Sequence, residues 1–538
     1  MRTLPLKHRS LPVLLGLALL AAPTSGQAIG EERGLPRRLT DGQEFTLTLD
    51  RLFGHGRDVF AANWTALEGQ GRPQTKGTGA SLSDPGEPLS FPRNMNRVSA
   101  PDSNSCAGCH NAPLVGGAGD FVTNVFVLGQ RFDFATFDGT DPILTKGNVD
   151  EAGAEATLQS IAASRQTIGM FGSGYVEMLA RQITDDLQQV RDGIPPGGSA
   201  VLTSKGIHFG VLARAANGTW DTGQVEGLPA PSLASGGPGD PPNLIVRPFH
   251  QAGAVISLRQ FTNNAMNHHH GIQPVERFGI GTDPDADGLA DELSIPDVTA
   301  ASVFQAGLNI PGRVIPDDPA VRAAILNGEQ TFVDIGCSSC HVPCLPLDEQ
   351  GWIFTEPNPY NPAGNLQPGD AYESTHGTLQ ADLNSPLFPG PRLKVAGGAV
   401  QVWAFTDFKL HDITSGPNDP NREPLDMHAP AGSPPFFAGN SRFLSAKLWG
   451  VASQMPFYHH GQYTTMREAI EAHAGEAAGV MANWWALGGA ERDEVVEFLK
   501  SMQVPAPGAK GLVVDPDGEK IAWPPFPWQC GQPVPALP

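Results

Sequence analysis

The sequence predicts a mainly α protein with long loops, built as two similar units packed together, with loop-rich insertions and a few short strands. Three observations carry that expectation. A Cys-x-x-Cys-His run occurs twice, at Cys106 to His110 and Cys337 to His341. A glycine four residues ahead of a phenylalanine precedes each copy: Gly56 and Phe60, then Gly328 and Phe332. Glycine (63) and proline (50) are plentiful among 538 residues, enough to keep helices short yet below the range of disordered chains.

The chain opens on Arg2, Lys7 and Arg9, an apolar run from Leu11 to Ala22, and small residues at Gly26-Gln27-Ala28. This is the pattern of a cleaved export signal over residues 1–28. The run is too short for a comfortable membrane span and no similar run follows, so a periplasmic or otherwise exported protein without a membrane anchor is expected. The formal net charge is −21, and loss of the basic leader makes it more negative. That argues against nucleic acid and anionic membranes as partners. The length exceeds one ordinary core. We expect an N-terminal unit over 29–300, a C-terminal unit over 301–503 and a Pro-rich tail over 504–538.

Two thiols three residues apart can each add to a vinyl group of one haem, which holds the following histidine beneath the porphyrin as an iron ligand. Paired cysteines also hold zinc, but zinc pairs usually lie tens of residues apart. The motifs therefore predict two covalently bound haem c groups, one on Cys106, Cys109 and His110, the other on Cys337, Cys340 and His341. Each Gly-x-x-x-Phe run looks like the first helix of a cytochrome c unit, with the glycine admitting a crossing helix and the aromatic packing toward haem. The fold expected is thus two cytochrome c-like haem domains packed together. The second run leads straight into its motif; the first is interrupted by an insertion over residues 67–104.

Further along, residues 155–190 read as helical with a break at Gly172 to Gly174, and 222–243 read as a linker. Residues 250–278 read as a helix broken near His268-His269-His270, a cluster open to both a metal-ligand and a structural reading. Asp283, Asp285, Asp287 and Asp291 alternate around Gly288 like a calcium loop. Ser294 stands where the bidentate glutamate belongs, so a solvated acidic turn is the competing reading. Residues 342–445 are loop-rich with strand-like runs such as Val400 to Phe405. From Thr464 the pattern is helical, and Met466, Ala469, Ile470 and His473 share an apolar face. His473 is thereby a candidate inward ligand or a hydrogen-bonded core histidine. Residues 490–502 read as a closing helix. The motifs leave Cys344 and Cys530, which an exported protein is expected to pair; closing so long a loop is worth about 5 kcal/mol in the chain-entropy picture.

The runs SCAGCHNAPLVGGAGD, FGSGYVEM, RPFHQAGAVISLRQF, GIQPVERFG, GCSSCHVP, LWGV and YHHGQYTTMREAIEAHAGEA resemble the dihaem oxidoreductases related to bacterial dihaem cytochrome c peroxidases. The similarity covers nearly the whole mature chain. It implies reduction of hydrogen peroxide at the haem on His110, with electrons from a small redox protein relayed by the haem on His341. By the same resemblance, Glu177 stands where the peroxidases carry their distal acid, and Gln166 lies near the expected distal glutamine. His473 takes the place of a methionine ligand, which would make the second haem bis-histidine and lower its potential. His460 replaces the acid of a His-Asp-Gly turn. The tryptophan expected between the haems before Glu177 is missing, and Trp449 is either its substitute or a packing residue. The alternatives are a dihaem electron-transfer cytochrome without a substrate, or a dihaem oxygenase or protein-oxidising enzyme of the same family.

Overall fold

Short hairpins occupy much of what reads as loop. The computed structural model describes residues 29–71, 103–119, 123–126, 162–283, 287–424, 426, 428, 429, 435 and 438–537. Helix makes up 32% and strand 15%, the strands falling into small sheets of two or three. The expected class, mainly α with cytochrome c-like domains, is therefore corrected to mixed α/β. The largest omission is an antiparallel sheet of Ser199–Ser204, Ile207–Arg214 and Trp220–Val225. Lys205 (φ 50°) and Gly206 (φ 83°) make its first turn, the two positive φ angles that a tight hairpin needs. Leu202, Ile207, Phe209 and Leu212 are buried on one side, and the sheet packs on the helix Ser173–Asp192.

That helix is shorter than expected. Ala162–Arg165 is a strand paired with Thr123–Phe126. The helix begins only after Gly172, whose φ of 73° is left-handed. A Cβ on Gly172 would lie 2.2 Å from the Trp449 ring, so packing as well as backbone conformation demands glycine. The helix Leu258–Ala265, capped by the Ser257 side chain on the Gln260 N–H at 3.0 Å, runs into a wider turn over Met266–His270 and stops at Gly271.

Two helix pairs carry the repeated glycines. Leu49–Ala61 crosses Ile295–Gly307, and Pro319–Asp334 crosses Gly489–Ser501. A Cβ on Gly56 would sit 1.9 Å from the Ala300 carbonyl, and one on Gly328 would sit 2.0 Å from the Glu494 carbonyl. In each pair the next apolar contact is the same. Phe60 meets Phe304 with ring centroids 5.2 Å apart, and Phe332 meets Phe498 at 5.3 Å. The two halves thus share one crossing device, read correctly from glycine and phenylalanine spacing. Their boundary, expected at 300/301, falls inside the continuous helix Ile295–Gly307. The largest apolar core also draws on both halves, with Leu52, Tyr175, Phe304, Phe354 and Val402 among its members.

The tail is fastened by a disulfide between Cys344 and Cys530, with Cα atoms 4.8 Å apart. No helix among the described residues is long and apolar enough to cross a membrane. The leader over 1–28 and most of the 67–104 insertion lie outside the described residues.

Candidate functional site

Each Cys-x-x-Cys-His run closes on itself in a single turn. In the first, Cys106–Cys109 is helical and the His110 N–H reaches the Cys106 carbonyl at 2.9 Å. In the second, Gly336 (φ 96°) starts a turn over Cys337–Ser339, and the His341 N–H reaches the Cys337 carbonyl at 3.0 Å. Both cysteines and the histidine are thereby brought to one end of a short turn. None of Cys106, Cys109, Cys337 and Cys340 is in a disulfide. Burial, reinforced by the neighbouring cysteine, pushes the thiols of Cys106 and Cys337 up to about 12.

The imidazoles are held alike. His110 Nδ1 lies 3.0 Å from the Gly117 carbonyl, His341 Nδ1 3.0 Å from the Ala446 carbonyl, and His473 Nδ1 2.8 Å from the Ala469 carbonyl. A carbonyl only accepts, so each Nδ1 carries the proton and each Nε2 keeps its lone pair for a ligand. Burial pushes His110 and His341 down to about 4 and lowers His473 as well, which favours the neutral, ligating form. His473 sits just past the helix Met466–Glu471, whose start is fixed by the Thr465–Glu468 capping box. Its ring faces His341 with centroids 6.4 Å apart and planes at 68°. A metal held at about 2 Å from each nitrogen between two such rings sets their centroids about 6 Å apart. Tyr458 packs edge-on against the outer side of His473 at 5.8 Å.

Both motifs open onto one cavity of about 670 Å³, within the range of cofactor pockets. Phe60 and Phe332 line it, as do Met466, Ile470 and His473. A mainly apolar cavity with thiols and neutral imidazoles in its wall fits a flat apolar cofactor attached through sulfur and ligated through nitrogen.

The remaining expectations divide. Gln166 is in the cavity wall; its Nε2 lies 3.3 Å from the Gly119 carbonyl, and its buried Oε1 has no hydrogen-bond partner among the described residues. Glu177 is not in the wall. It is 0% exposed, and its oxygens take hydrogen bonds from Arg181 (2.5 Å), Asn358 (2.7 Å) and the Leu258 N–H (2.8 Å). That is the placement of a structural carboxylate. Asp283 caps the N–H groups of Asp287 and Gly288, Asp287 caps Leu289, and Asp291 takes the Gly281 N–H. Asp285 lies outside the described residues, and the other three carboxylates form no metal cluster among those described. Trp449 is buried beside Gly172 and outside the cavity wall. His268, His269 and His270 all line the cavity; His270 Nδ1 lies 2.7 Å from the Ser103 carbonyl and its Nε2 3.5 Å from Cys106 Sγ.

Two features had no clear signal in the sequence. Lys447 lines the cavity and donates to the Gly169 carbonyl at 2.7 Å. His411 lies between Asp407 (2.8 Å) and Glu476 (2.7 Å) beside Cys340. Both ring nitrogens are spent on carboxylates, so the group reads as a buried charge cluster rather than a metal site. Burial opposes the charge on His411, but Asp407 and then Glu476 raise it to about 12. A histidine raised in the folded state stabilises fully below its unfolded value, and that contribution falls steadily as the pH rises from there to its folded value. The stability gap between wild type and His411→Asn should therefore be widest below about pH 6 and narrow continuously from about pH 7 to about pH 10. Parallel denaturant titrations measure it; a gap that stays level across that range would show a neutral imidazole.

No protein-family model and no curated protein matches the chain.

Proposed function

We propose that the chain is an exported dihaem c-type oxidoreductase that reduces hydrogen peroxide at the His110 site, with electrons delivered by a small redox protein through the His341 site. The observation that carries the reading is the single cavity onto which both Cys-x-x-Cys-His turns open, with His473 facing His341 across it. Haem would supply a one-electron iron centre at each motif, and two such centres match the two electrons that a peroxide takes. Cys106 and Cys109, and likewise Cys337 and Cys340, would hold it as thioethers. His110 and His341 would be proximal ligands and His473 the second axial ligand at its site. Gln166 Oε1 offers an acceptor, and His250 Nε2, buried in the same wall with no partner among the described residues, offers a proton-handling group.

The denatured protein should carry two haem masses, and Cys106→Ala with Cys109→Ala should remove one of them. Mass spectrometry of the intact chain checks this, and loss of neither would end the haem assignment. One observation favours a second reading, an electron-transfer cytochrome: Glu177 is tied up outside the cavity while several histidines line it. Electron paramagnetic resonance separates the two. A five-coordinate high-spin signal supports the enzyme; two low-spin haems in the oxidised and half-reduced states support the carrier.

A further inference from the structure

The two proximal histidines are joined by a route that runs along the wall of the cavity. His110 Nδ1 donates to the Gly117 carbonyl at 3.0 Å. The preceding carbonyl, of Gly116, takes the Met170 N–H at 2.9 Å. The carbonyl before Met170, that of Gly169, takes the Lys447 ammonium at 2.7 Å. The residue before Lys447 is Ala446, whose carbonyl takes the His341 Nδ1–H at 3.0 Å. Covalent bonds and four hydrogen bonds thus lead from one imidazole to the other. Every link but one leaves from the backbone or from a proximal imidazole.

That one link is Lys447. Burying an ammonium costs free energy that a methionine or leucine in the same place would not incur, and burial pushes this amine down to about 8. The side chain meets a backbone carbonyl, and no carboxylate pairs with it among the described residues. The hydrogen bond at Nδ1 also sets how strongly an imidazole donates to its metal. A route that ends at Nδ1 on both sides therefore reaches the electronic state of each site.

We propose that Lys447 is the positioning residue that couples the two haem sites, carrying electronic communication between His341 and His110 through its bond to Gly169. The proposal rests on the haem reading above. Haem held at the two sites would supply the electron carriers, one electron leaving the His341 site for each one that the His110 site would gain; Lys447 would be neither oxidised nor reduced and would transfer no proton.

The test compares wild type with Lys447→Met, which keeps most of the volume and loses the donor, and Lys447→Arg, which keeps a donor. Haem masses, both midpoint potentials and the rate at which an electron placed rapidly on one haem reaches the other are measured on the intact holoprotein. Lys447→Met should keep both haem masses and both midpoint potentials while slowing transfer by roughly tenfold, the scale by which single residues modulate coupling between sites. Lys447→Arg should recover most of the rate. Unchanged transfer with both haems attached overturns the link, and so does a slowing fully accounted for by a shift in the potentials. Absence of haem mass from the wild type is a different result, which overturns the haem reading itself and the link with it.

Discussion

On the dihaem reading proposed above, replacing His473 with glycine should convert the haem on His341 from low-spin to high-spin and leave the one on His110 unchanged. The ring of His473 faces that of His341 at 6.4 Å, its Nδ1 is committed to the Ala469 carbonyl, and Tyr458 meets it edge-on at 5.8 Å. His411, another imidazole beside that motif, has both nitrogens on carboxylates and offers none to the same place. The whole population should therefore change spin state rather than a fraction of it. Added imidazole should restore the low-spin spectrum by entering the space that the side chain vacates. The potential of that haem should move with the loss of the second imidazole. Optical and electron paramagnetic resonance spectra of the purified variant read the result, and an unaltered low-spin spectrum removes His473 from the ligand set.

The two local turns are more legible in the sequence than the overall fold, for a physical reason. A Cys-x-x-Cys-His turn is local, so its geometry is already implied by spacing, and the structure closes both copies with the same backbone bond from histidine to first cysteine. Gly56 and Gly328 were legible too, because a helix crossing within 2.0 Å of a would-be Cβ leaves no residue but glycine. The hairpin over Ser199–Val225 was missed although its alternation is present, since a lysine and a glycine make its turn in a stretch rich in other breakers. The strand at Ala162–Arg165 was read as helix because its partner, Thr123–Phe126, is distant in sequence. Glu177 failed for the same reason: Asn358 and Leu258, which claim its oxygens, lie far along the chain.

Glu177→Gln should cost stability and spare turnover. All three groups that face the carboxylate are donors: the Arg181 guanidinium, the Asn358 amide and the Leu258 N–H. An amide has only one acceptor oxygen, so a glutamine must turn its NH₂ toward a donor whichever way it is flipped. Arg181 would keep its bonds to the Thr355 hydroxyl and carbonyl at 2.8 and 3.0 Å, but its buried charge would lose its directly bonded carboxylate. Breaking a buried pair from one side costs about 3–5 kcal/mol. The lost carboxylate also stood at the first turn of the helix Leu258–Ala265, where negative charge is favoured. The neighbouring ion group, Arg259 with Glu276 and Glu356, is equally buried and touches the same region of the core. The variant should thus unfold at clearly lower denaturant. Peroxide turnover per attached haem should stay within about twofold, whereas loss of a general acid costs a hundredfold or more, on the order of 10²–10⁴. Denaturant unfolding and haem-normalised turnover on one preparation decide between the roles, and a hundredfold loss of turnover at unchanged stability would return the acid to Glu177.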